Sequence, residues 1–408
     1  MADVSSGGSG AGSLTRFVQA QVVGPDQVWE RDLLVDGQGV IQGLPKPGES
    51  VAEVRHVVDC GGAYLYPGII DILTHGFGHY FYADAEEDCL AENSRALAHH
   101  GVTGFVPSFI SMAEEKMLAV LRRLASLRRG EGARVLGLHS EGPCLASSGA
   151  HPPKSLQQPS QGLALRMIAA AGGQLKLVTL APELPGAREF IAALRSAGVG
   201  VHMGHTRALP GDVSTYASWG VEGVTHIYDV FEPAAVAEPG VYPLSLADAI
   251  LAEARLALGL ICDGVHAHPQ QVRLLTQLRG DRLFLETDSM KFTGLSYGRF
   301  ELSPGVFNTT TADRAARTDD GTLAGSALTP DAGLRNLVKF SGIDLPRASR
   351  ATSLLPARLL KEDQRLGSLE QGKLADMILL DAVTLEVRAT WVGGREAYRD
   401  QEEAGRGN

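Results

Sequence analysis

Short apolar runs alternate with amphipathic stretches along most of the chain. The runs "GIIDILTH" (68–75), "VTGFVPSFI" (102–110), "RVLGLHSE" (134–141) and "LKLVTLAPE" (175–183) have the length and the β-branched, aliphatic content of buried strands. The same holds for "GVGVHMGH" (198–205), "VEGVTHIYD" (221–229), "LALGLICDG" (256–264) and "RLFLETD" (282–288). Between several of them lie stretches with apolar residues near i, i+3 and i+4, such as "EKMLAVLRRLASLRR" (115–129), "REFIAALRSAG" (188–198) and "PQQVRLLTQLRG" (269–280), which predict helices. Eight strands separated by crossovers long enough for a helix predict an α/β fold, a (β/α)8 TIM barrel. A doubly wound sheet uses the same local units and differs in closure; the polar strand ends discussed below favour the barrel.

Outside this region the pattern changes to short β-prone pieces. "RFVQAQVV", "WERDLLVDGQGVIQGL" and "VRHVVDCGGAYLYPG" come before it, and "LGSLEQGKLADMILLD" and "TLEVRATWVGGREAY" follow. Pieces far apart in sequence can pair in space, so both chain ends are expected to build one small β-sandwich. The expected organisation is a Gly/Ser-rich disordered leader over 1–13, a sandwich from 14–66 plus 360–398, the barrel over 67–359 and a frayed tail over 399–408.

Composition narrows the function classes. The net charge of -10, with no cluster of Lys and Arg, argues against nucleic acid as a partner. No apolar run approaches the roughly 18 residues of a membrane span. The four cysteines, Cys60, Cys89, Cys144 and Cys262, lack CxxC spacing, and the N-terminal stretch lacks a basic start and an apolar core. A reducing, cytoplasmic setting is expected.

The strand ends carry the chemistry. Strand one ends in His75, three in Glu141, five in His205, six in His226, seven in Asp263 with His266 just beyond, and eight in Asp288. In a barrel the groups at the C-terminal ends of strands converge on one mouth. Imidazoles and a carboxylate converging there suit a borderline cation such as Zn²⁺ with a position left for water. Glu141, His205 and His226 are therefore the expected metal ligands. His56, His99 and His100 read as surface or helix-end residues, and His139 and His202, before their strand ends, as core or supporting residues.

These motifs, in this order, resemble the N-acetylglucosamine-6-phosphate deacetylases of the amidohydrolase superfamily. The resemblance runs from about 55 to 396 and rests on "YPGIIDI", "GLHSEGPCL" with "GAHP", "GHT", "VTHIYD", "ICDGVHAHP", "LETDSM", "GTLAGSALT", "GSLEQGKLADMILLD" and "WVGGR". It implies a metallo-barrel that hydrolyses the acetamide of an amino sugar to acetate and a free amine. It puts Glu141, His205 and His226 at metal positions and Asp288 at the general acid/base position. His266 takes the position that polarises the substrate, and His151 that of a substrate contact. It also implies a homodimer that shares its active site.

Two departures matter. Many superfamily members carry HxH at the end of strand one; here "DILTHG" has Leu73 first, which cannot ligate, so one metal is expected and His75 becomes a supporting or substrate contact. The cofactor expected is one divalent ion, zinc, with iron, manganese or cobalt as alternatives. The family also reads T-H-[LIF]-[FY]-N-A-M and then an arginine before E-P-G that binds the sugar phosphate from the neighbouring subunit. Here the text is "THIYDVFEPAAVAEPG", so Asp229 and Ala237 occupy the substrate-binding positions of the asparagine and the arginine. Between Ala208 and Ala254 there is no Lys or Arg at all; Lys154, Arg207, Lys291 and Arg299 are other possible sources of a cation. The expected substrate is a small amino sugar like N-acetylglucosamine-6-phosphate. The alternatives are an unphosphorylated or cationic acetamido sugar or aminocyclitol of secondary metabolism, and another amide or cyclic amide.

Overall fold

All six residues of Ile69–Thr74 are buried, as a parallel strand packed between a barrel interior and its helices requires. This is the first of eight barrel strands. The others are Val102–Phe109, a split third strand (Arg134–Val135 and Leu138–Glu141), Leu175–Leu180, Gly200–Met203, Gly223–Val224, Ala257–Leu260 and Leu283–Leu285. Each pairs in parallel with the next in sequence order. Closure comes from Asp288 N donating to the Leu73 carbonyl at 2.9 Å and a parallel bridge between Thr74 and Ser289, so the last strand returns to the first. That excludes the doubly wound alternative. The computed structural model describes residues 13–231, 238–303 and 306–400.

The sixth strand is shorter than its apolar pattern predicts. Only Gly223–Val224 pair as strand, because the chain turns through a positive φ of 35° at His226, which aims that side chain at Glu141. The helices follow their periodicity closely. Glu114–Ser126 buries Met117, Val120, Leu121 and Leu124, with acidic residues in its first turn and Arg123 in its last, the arrangement that the helix dipole favours. Ala187–Ser196 and Pro269–Arg279 likewise bury one face.

Both chain ends share a six-stranded sheet in which Met377–Leu380 pairs antiparallel with Tyr64–Pro67. A four-stranded sheet, Ile41–Gly43, Leu33–Val35, Leu14–Val18 and Val54–Asp59, closes over it. Their joint core includes Phe17, Leu33, Leu65, Met377 and Trp391. The Arg134 guanidinium, from the third barrel strand, grips the buried Asp376 carboxylate at 3.1 and 3.2 Å and so ties this unit to the barrel. Phe17 and Trp391 meet edge to face at 5.2 Å. Trp391→Ala is expected to cost about 3–5 kcal/mol, read as a lower urea midpoint for unfolding; an unchanged midpoint would remove this pair from the determinants of stability.

A further sheet lies outside the eight-strand pattern. After the last barrel strand, Gly298–Ser303, Val306–Thr310, Ala315–Thr318 and Leu323–Ser326 form a four-stranded antiparallel sheet. No helix among the described residues is long and apolar enough to cross a membrane.

Candidate metal centre and active site

The strand-end residues meet at one mouth of the barrel. Glu141 is the hub: its Oε1 lies 2.8 Å from His226 Nε2 and 3.3 Å from His205 Nε2. Its Oε2 lies 2.9 Å from His75 Nε2 and 3.2 Å from His151 Nε2. His75 Nε2 is also 3.0 Å from Asp288 Oδ1, so one N–H faces two carboxylates. Two triads, Glu141–His205–His226 and His75–Glu141–Asp288, each present ligand atoms within 4.8 Å of one another.

The backbone bends sharply to achieve this. His205, His226 and Asp288 adopt positive φ of 48°, 35° and 51°. A non-glycine residue held there costs on the order of 1–3 kcal/mol, and such residues concentrate where side chains must be aimed. Deep carboxylates hold two of these turns. Glu286 Oε1 accepts the His226 backbone N–H at 2.6 Å, and Asp71 Oδ2 accepts the Thr287 hydroxyl at 2.6 Å, one residue before Asp288. Burial pushes Glu286 up to about 8 and Asp71 up to about 7.

Hydrogen bonds sort the histidines by what they can offer. His205 Nδ1 donates to the Ser147 carbonyl at 3.1 Å, so in the neutral ring Nε2 is a bare lone pair facing Glu141. Two buried lone-pair groups 3.3 Å apart suit a cation between them, and this donor set of one carboxylate and two imidazoles fits a divalent ion. His151 is the reverse case. Its Nδ1 accepts the Ser111 N–H at 3.0 Å, so the proton sits on Nε2 and points at Glu141. Burial, then the neighbouring His205, push His151 down to about 4, which keeps it neutral.

Carboxylate–imidazole pairing sets the charge states of the centre. Burial alone would raise Glu141, but His151, His205 and His226 outweigh it and hold the carboxyl well below the usual range. Burial would lower His75 and His226; their carboxylate partners, Asp288 and Glu141 for the first and Glu141 for the second, instead push both up to about 10.

The other predicted residues fall as follows. His266 Nδ1 is bound to Asp263 Oδ2 at 2.6 Å; Nε2 is buried without a partner, and the Asp263 contact raises the ring above its ordinary value despite burial. His266 does not line the cavity in front of the centre, whereas Asp229 does. Ala237 lies outside the described residues. None of Lys154, Arg207, Lys291 and Arg299 lines the cavity. His139 is buried and donates from Nδ1 to the Ile72 carbonyl, with Nε2 accepting the Thr179 hydroxyl at 2.9 Å. Sequence reasoning missed Asn308, which lines the cavity from the extra sheet. The alternation in "VFNTT" and the "DDG" turn nearby were the signals that could have found that sheet.

A closed parallel barrel with a carboxylate and imidazoles gathered at its C-terminal mouth defines the class of barrel hydrolases built around a metal centre. Residues 64–397 match the Amidohydrolase family model. The N-acetylglucosamine-6-phosphate deacetylase of Bos taurus is 31% identical across 97% of this chain and 99% of its own. The N-acetylgalactosamine-6-phosphate deacetylase of Escherichia coli O157:H7 is 32% identical across 94% of this chain and 100% of its own. Among solved structures, the N-acetyl-D-glucosamine-6-phosphate deacetylase of Mycobacterium smegmatis superposes with a TM-score of 0.83 at 29% identity, covering 95% of this chain and 100% of that one. The chain belongs to the amidohydrolase family and, within it, to the N-acetylglucosamine-6-phosphate deacetylases.

Proposed function

We propose that Glu141, His205 and His226 hold one divalent cation, zinc, and that the chain hydrolyses the N-acetyl group of an amino sugar to acetate and a free amine. The observation that carries this reading is the His205 lone pair, fixed by Ser147, facing Glu141 in a buried space with Asp288 across from it. When bound, such a cation polarises a carbonyl and lowers the pKa of water toward ~7. Asp288 takes the proton of the attacking water as the new C–O bond forms at the acetyl carbon. It then delivers that proton to the nitrogen as the C–N bond breaks, so that the sugar leaves as an amine. By the resemblance His266, tethered through Nδ1 to Asp263, takes the polarising role; because it sits behind the cavity wall, that role requires its partnerless Nε2 to reach the acetyl oxygen in the substrate complex. His75 positions the Asp288 and Glu141 carboxylates through its shared Nε2–H. His151 donates to Glu141 in the resting site and is placed to contact the substrate, as is Asp229 at the cavity wall.

The proposal includes a cytoplasmic setting, supported by four free, buried cysteines, and a homodimer, carried over from the family. Acetate release from N-acetylated amino sugars by zinc-loaded protein tests it. Release is expected to stop on chelation and return with zinc. Protein carrying stoichiometric zinc that frees no acetate from any such sugar would contradict the assigned reaction.

A further inference from the structure

A cavity opens directly in front of the centre, lined by His75, Glu141, His151, His205, His226 and Asp288. Much of its wall comes from the extra sheet and is aliphatic: Leu302, Val306 and Leu323, joined by Ile110, Val230 and Met290. Among the described residues no Lys or Arg lines it. Residues 232–237 and 304–305, which lie outside the described set, contain none by sequence. The two basic residues of the same sheet are both engaged: Arg299 by Asp319 at 2.8 Å and by the Phe307 ring at 3.7 Å, and Arg317 by Asp313 at 3.9 Å. Asp229 adds a carboxylate to the wall.

Within that wall Asn308 is the outlier. It is 2% exposed, and neither Oδ1 nor Nδ2 has a hydrogen-bond partner. A buried carboxamide left unpaired is unfavourable, and one that lines a binding cavity holds two donors and two lone pairs ready for a ligand.

Resting on the deacetylase reading, we infer that the site takes an acetamido sugar or aminocyclitol bearing no phosphate, and that Asn308 is the specificity residue that reads its hydroxyls. A phosphate dianion calls for guanidinium or ammonium donors; this chain's own wall offers aliphatic side chains and the Asp229 carboxylate, and a second copy would bring Ala237 where the resemblance expects an arginine. An unphosphorylated ring meets complementary chemistry. Its C–H face packs on the aliphatic wall, and its hydroxyls, each both donor and acceptor, match the Asn308 carboxamide. An ammonium group at the far end of the ligand would be drawn to Asp229.

The test pairs binding with turnover. Zinc-loaded Asp288→Asn protein, stalled before hydrolysis, is titrated calorimetrically with N-acetylglucosamine and with its 6-phosphate, and wild-type kcat/KM is measured on both. A preference of about tenfold or more for the unphosphorylated sugar is expected in each measurement. Asn308→Ala, and Asn308→Leu as a variant that keeps the volume, are expected to weaken that sugar about tenfold, raising KM more than they lower kcat and leaving zinc content unchanged. Equal or tighter binding of the 6-phosphate, or no binding of either sugar, overturns the inference. Affinity unmoved by both Asn308 variants removes that residue from it. If the stalled protein prefers the unphosphorylated sugar yet the wild type frees no acetate, the assigned reaction fails while this inference stands.

Discussion

Asp288→Asn is expected to lower kcat for acetate release by about 10²–10⁴-fold, the usual share of a positioned acid/base, while zinc content stays at one equivalent. The amide keeps the size and planarity of the carboxylate, so the left-handed turn at this residue and its backbone bond to Leu73 persist. What is lost is the proton acceptor. Without it the attacking water keeps its proton and the nitrogen has no acid to leave with. The Nε2–H of His75, now facing one carboxylate, remains on Glu141 at 2.9 Å. Steady-state kinetics together with metal analysis check both halves. Activity within a few-fold of wild type would reassign the proton carrier, and loss of zinc would show that Asp288 belongs to the ligand set.

The second large effect is expected at the hub. Glu141→Gln removes the one negative charge that faces four imidazoles. Burial of those rings is tolerable because a carboxylate, or a cation held with it, compensates them; an amide does neither. Zinc affinity is expected to fall by more than the about 10–100-fold typical of losing an outer partner of a ligand, and acetate release with it. Zinc remaining bound after gel filtration at near one equivalent would show that Glu141 is not a ligand. A thermal unfolding midpoint measured on metal-free wild type and variant separates this from simple misfolding, since the variant is expected to stay folded.

Much of this was legible in the chain before any coordinates. The strand count came from apolar runs, and a barrel makes such runs obligatory because both faces of every strand are buried. The chemistry was legible because a strand that ends on an ionisable residue is unusual: Glu141, His205, His226 and Asp288 stand out against the Leu, Val and Ile before them. The strand ends were less clear. The sixth strand ends at Val224, earlier than its apolar text suggests, since local pattern carries no record of the left-handed turn at His226 that redirects the chain. Tautomers were beyond reach as well. His151 and His205 look alike in sequence, and only the Ser111 N–H and the Ser147 carbonyl, each brought in by tertiary folding, make one a proton donor and the other a lone pair. The sheet carrying Asn308 went unseen for a further reason. Its strands follow the last barrel strand, in a stretch where the apolar pattern predicted no element, and their alternation competes weakly with the stronger barrel signal.

Anomalous diffraction at the zinc edge, from crystals of the zinc-loaded protein, tests the central claim most directly. One peak is expected, about 2.0–2.2 Å from a Glu141 oxygen and from Nε2 of His205 and His226. A peak lying instead between His75, Glu141 and Asp288, or two peaks in one barrel, would contradict it.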